Sequence, residues 1–103
     1  MFFILDDQNK PIPTTDRLDW SEWHSGNENR CCIGDDTVKD VRVSTRFFGT
    51  EISHIRCLWE TVALHGYAPL HEYTRRHGNY EDAVRGHRET IERIRGREER
   101  GED

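Results

Sequence analysis

A chain of 103 residues makes one domain, and its 33% hydrophobic against 34% charged content leaves a thin core under a highly charged surface. The net charge of −5, with no basic stretch ahead of the C-terminal segment, argues against a surface that tracks nucleic-acid phosphates. No run approaches the roughly 18 apolar residues of a membrane span, and Met1-Phe2-Phe3-Ile4-Leu5 meets Asp6-Asp7 too soon for a signal peptide, so the cytoplasm is the expected location.

In chain order, Phe2 to Leu5 reads as a short strand that stops at the turn Asp6 to Pro11, with Pro11 and Pro13 keeping the next residues extended. Thr14-Thr15-Asp16 offers N-cap side chains ahead of a helix over 17–24. Trp20 and Trp23 share one face of that helix and anchor it to a sheet. Residues 25–29 form a loop, and Arg30 to Ile33 a short strand ending at Gly34-Asp35-Asp36. Cys31, Cys32 and Cys57 are odd in number and two are adjacent, which fits reduced thiols better than a disulfide framework.

The chain is organised around residues 41–76. Val41, Val43, Thr45 and Phe47 take one parity, and Arg42, Ser44 and Arg46 the other, which is the alternation of a half-buried strand. Cys57 to Leu64 is apolar on both parities except at Glu60 and Thr61, as in a central strand covered on both sides. A third strand follows over 70–76. Asn79 then caps a long helix, with Asp82 answering it three residues on. Tyr80, Ala83, Val84, His87, Ile91 and Ile94 form its apolar stripe, and Val84 and Ile91 are expected to anchor it. The expected architecture is α+β: an antiparallel meander sheet of about four to five strands, packed by a short N-terminal and a longer C-terminal helix. It spans residues 1–96, with a frayed charged tail over 97–103.

Candidate chemistry is sparse. His65, His71 and His77 recur every six residues. A hairpin closed by Gly66 to Leu70 would set His65 against His71, but two histidines complete no metal site, and neither metal nor cofactor is expected. Glu60 shares the parity of Leu58, Val62 and Leu64, so it reads as an inward carboxylate, paired to Arg42, Arg46, Arg75 or Arg76 or serving a pocket. His87 reads as a satisfied core histidine. Cys57 has no base beside it to make a nucleophile. On the opposite parity, Trp59, Ala63 and Tyr73, rimmed by His65, His71 and Arg75, read as an uncovered binding face.

The motifs Val43-Ser44-Thr45-x-Phe47-Phe48-Gly49, Leu58-Trp59-Glu60-Thr61 and Tyr73…Tyr80-Glu81-Asp82-Ala83-x-x-Gly86-His87 resemble a family of small proteins encoded by phages and prophages. The opening Ile4-Leu5-Asp6…Pro13 and Trp20-x-x-Trp23 are similar too. The chain departs from that pattern in the connector Thr50 to Arg56, where the family has a longer Gly- and Pro-rich loop. The resemblance implies origin rather than mechanism. It favours a non-enzymatic accessory or anti-defence protein that binds a host protein or sequesters a small ligand such as a signalling nucleotide; the thin core favours a homodimer. The competing readings are a small enzyme pairing Glu60 with a histidine, and a nucleic-acid module exposing Trp59, Tyr73 and Arg75 together.

Overall fold

The computed structural model describes residues 1–51 and 57–99. Phe2–Leu5 (β1) and Pro11–Thr14 (β2) pair antiparallel as a separate ribbon, from Phe2↔Thr14 to Leu5↔Pro11. Asp6 shapes its turn by accepting the backbone N–H groups of Gln8 and Lys10 at 2.8 and 2.9 Å. Those amides, Lys10 foremost, hold its carboxyl below the usual carboxylate range. Arg17–Gly26 (α1) is capped by Asp16, whose side chain accepts from the Leu18 N–H at 2.8 Å. Trp20 leans on Phe2 at 5.2 Å and Trp23 meets Phe47 edge-on at 6.1 Å, so the two tryptophans anchor α1 as their spacing predicts.

A short helix, Glu28–Cys31 (α2), leads into Cys32–Val38 (β3), a longer strand than the predicted 30–33. The turn to Val41–Phe47 (β4) is Lys39-Asp40, with φ of 44° and 68°, the two positive values a type I′ hairpin requires. Lys-Asp is a poor signal for that turn, since Asn-Gly takes it far more readily. The predicted strand therefore stops at Gly34. Trp59–His65 (β5) pairs with β4 through Val43↔Ala63, Thr45↔Thr61 and Phe47↔Trp59. Gly66, at φ 63°, opens a two-residue turn to Ala68–Pro69 (β6), which pairs Pro69 with Leu64 and Ala68 with His65. His71–Tyr73 is a 3₁₀ turn, and Arg75–His77 (β7) then returns to the same edge of β5. The three adjacent antiparallel strands are as expected, but the third begins five residues late.

The hairpin turn thus sits at Gly66-Tyr67, and His65 faces Ala68 rather than His71. Of the connector Thr50 to Arg56, residues 52–56 lie outside the described residues, as do residues 100–103 of the predicted tail.

Tyr80–Glu99 (α3) begins at Asn79, whose carboxamide oxygen accepts from the Asp82 N–H at 2.8 Å, and lies across one face of β3, β4, β5 and β7. It continues past Gly96, where the sequence suggests fraying. Ala83, Gly86, His87, Thr90 and Ile94 turn to the sheet; Tyr80 and Ile91 are half-buried, while Val84 is 39% exposed and anchors nothing. Beneath α3 the core forms two apolar clusters. Phe3, Leu5, Cys31, Phe47, Leu58, Trp59 and Ala83 make one; Val38, Val41, Val43, Ala63, Tyr73 and Ile94 make the other.

The two faces of the sheet are the reverse of the sequence expectation. Trp59 is 0%, Ala63 1% and Tyr73 4% exposed, all on the α3 side. Tyr73 is closed over by Arg93, 5.1 Å above its ring, and by Arg97, which donates to its hydroxyl at 2.8 Å. Glu60 lies on the other face with Val62 and Leu64, all three only half-buried, so β5 is not covered on both sides among the described residues. Periodicity separates the two parities, but the helix packs where the larger aromatic volume lies, and that volume is Trp59 and Phe47.

Candidate functional site

Between the two apolar clusters runs a band of polar side chains. The Thr45 and Thr61 hydroxyls, opposed across β4 and β5, are 2.6 Å apart, and neither residue is exposed. Thr61 Oγ1 lies 2.8 Å from His77 Nε2 at the end of β7, and Thr45 Oγ1 lies 2.8 Å from His87 Nδ1 on α3. His87 Nε2 continues to the Asp36 carboxylate on β3 at 2.7 Å. Five side chains from five elements are joined by four hydrogen bonds. A glycine faces each ring: a Cβ on Gly34 would stand 2.4 Å from His87 Nε2, and one on Gly86 2.2 Å from His77 Cε1. Only glycine leaves room for an imidazole at either position. Burial lowers the His77 pKa, and the neighbouring Arg75 lowers it further.

Hydroxyl, imidazole and carboxylate in series invite comparison with a hydrolytic triad. Here the hydroxyl sits on Nδ1 and the carboxylate on Nε2, the opposite of the serine-protease arrangement, and Thr45 is 0% exposed. A nucleophile without access to solvent cannot meet a substrate. The band instead ties α3 to the sheet. Sequence reasoning finds His87 as a satisfied core histidine, but it groups His77 with His65 and His71 by spacing. The usable signal is Thr45 and Thr61 on the buried parity of adjacent strands.

A second pairing that sequence separation conceals is Cys31 Sγ and His24 Nδ1, 3.5 Å apart. Burial raises the Cys31 thiol and lowers His24, so both are held neutral rather than as a reactive thiolate–imidazolium pair.

The other predicted residues divide between the two faces. Trp59 and Tyr73 are core residues, which removes the stacking platform they would form with Arg75; Arg75 instead bonds Glu89 of α3 at 3.1 Å. His65 and His71 are exposed near the β5–β6 turn, on different elements. Glu60 and Arg46 are register partners across β4 and β5, and Glu60 bonds Arg76 at 3.2 Å. These residues belong to the face away from α3. There Ser44, Arg46, Phe47, Phe48, Glu60 and Val62 line a shallow groove of about 320 Å³. Arg42 and Asp35 extend the polar rim with a two-pronged pair at 2.8 and 2.5 Å, which holds the Asp35 carboxyl below its usual range.

Among the described residues no helix is long and apolar enough to cross a membrane. No protein-family model, curated protein or solved structure matches the chain.

Proposed function

We propose that this protein is a non-enzymatic binding protein, in keeping with its resemblance to small proteins encoded by phages and prophages, and that it acts through the sheet face turned away from α3. The observation that carries this reading is the make-up of that face. Half-buried Val62 and Leu64 lie within a rim of Arg46, Glu60, Arg76 and the Arg42–Asp35 pair. Arg46 and Glu60 sit opposite one another in register, so a two-fold axis between them would set each copy's Arg46 against the other's Glu60. That self-complementarity favours a second copy as the first occupant. A host protein or a small anionic ligand would meet the same groove.

Among the described residues, no hydrogen bond or ion pair joins Glu60 to a histidine, as the enzymatic reading requires. The Glu60 carboxylate is engaged by Arg76, and His65 stands five residues further along the same strand, roughly 16 Å away.

Sedimentation velocity tests the proposal. Arg46→Glu and Glu60→Arg should each weaken self-association by about tenfold or more, and the double exchange should restore it. A wild-type chain that stays monomeric at high concentration would remove the second copy. Reversals that leave association untouched would remove this face as the contact.

A further inference from the structure

The polar band, buried except at the exposed Asp36, has a property that follows from counting its protons. Each of its four hydrogen bonds needs one hydrogen, and the ionised Asp36 carboxylate can only accept. His87 must therefore donate from Nε2, which leaves Nδ1 of the neutral ring as an acceptor for the Thr45 hydroxyl. Thr45 then has no hydrogen left for Thr61, so Thr61 donates to Thr45. His77 must in turn donate from Nε2 to Thr61. With both rings neutral the chain runs one way only, from His77 to His87.

One added proton fits if the direction reverses. The proton enters at His77 Nδ1; the Nε2 hydrogen of His77 passes to Thr61, that of Thr61 to Thr45, and that of Thr45 to His87 Nδ1. The result is a neutral His77 protonated on Nδ1, and a His87 imidazolium against Asp36, with all four bonds retained. A second proton does not fit. Both histidines would then donate inward, the two hydroxyl oxygens would share a single hydrogen between them, and the remaining hydroxyl hydrogen would have no acceptor within the chain.

We propose that His77, Thr61, Thr45, His87 and Asp36 form a one-proton switch that couples the two buried histidines through the hydroxyls between them. The surrounding charges suit a single imidazolium at the His87 end. His87 faces Asp36 of β3, with the Asp35–Arg42 pair beside it. His77 faces Arg75 of its own strand and Asp82, Arg85 and Glu89 of α3, where Asp82 is bonded to Arg85 and Glu89 to Arg75. The acids near His77 are thus already matched, and Arg75 disfavours a charge there. A glycine lies against each ring, so both imidazoles are closely seated where they are.

Histidine ¹⁵N NMR across a pH titration of the full chain tests this directly. At high pH His77 should be the Nε2–H tautomer; as the pH is lowered, His77 should change to the Nδ1–H tautomer before it takes a proton of its own. Thr61→Val should abolish that tautomer change, and Thr61→Ser, which keeps the hydroxyl, should preserve it. The switch is overturned if wild-type His77 keeps its Nε2–H tautomer until its own ring becomes charged, or if the change survives in Thr61→Val. Should Thr61→Val not fold, the wild-type titration and the serine variant still decide.

Discussion

At the scale of single residues, two glycines on the same helix make opposite demands. Gly86 lies beneath His77, and a Cβ there would stand 2.2 Å from the ring. Gly96 meets nothing within 4 Å. Alanine normally stabilises a helix interior because it loses less backbone freedom on folding. Gly96→Ala should therefore raise stability by about 0.5–1 kcal/mol. Gly86→Ala should lower it by about 1–3 kcal/mol, since the ring must leave the Thr61 hydroxyl to make room. Urea unfolding of the two variants checks the signs. A Gly86→Ala variant as stable as wild type would mean that His77 moves aside at no cost.

At the scale of elements, α3 is held by a different set of residues from the one its apolar stripe suggests. Ile94 is 4% exposed within the second cluster, whereas Val84, in the same periodic pattern, is 39% exposed. Ile94→Asp puts a carboxylate into apolar surroundings and should cost about 3 kcal/mol or more. Val84→Asp should change stability by no more than about 0.5 kcal/mol. Thermal unfolding of the pair measures the difference, and equal losses would show that Val84 is covered in solution. The ion pairs follow the same lesson. Glu89 reaches Arg75 on β7, and Arg93 lies over Tyr73, although Glu89 and Arg93 sit at the favourable spacing of four.

At the scale of the whole molecule, the buried histidines set the pH dependence. His77 and His24 both have lowered pKa values, burial being the first cause in each, against an ordinary value of 6.5. The unfolded chain therefore binds more protons than the folded one below that value, and stability falls as the pH drops through it. The contribution is complete above 6.5 and is lost progressively toward the folded-state values. Asp6 and Asp35, lowered from 3.8, act in a separate window, losing their contributions only as the pH falls below that figure. The urea midpoint should decline as the pH falls from about 6.5 to about 5, and His77→Gln should flatten the decline. A midpoint constant over that range would mean that neither histidine is held neutral by the fold.

By itself the sequence determines the α+β class, the Asn79 cap, the two tryptophan anchors of α1 and the buried parity of β4, because each rests on local periodicity or on a side chain acting within four residues of itself. Tertiary structure alone decides which parity of β5 lies under α3, since both carry apolar residues. It also decides that the Lys39-Asp40 turn takes two positive φ values against its own preference. The polar band is decided there too: Asp36, Thr45, Thr61, His77 and His87 span 51 residues of chain, and no local pattern records that their side chains meet. Hydrogen bonds between distant residues depend on register and helix placement. Those are set by the packing of the entire core.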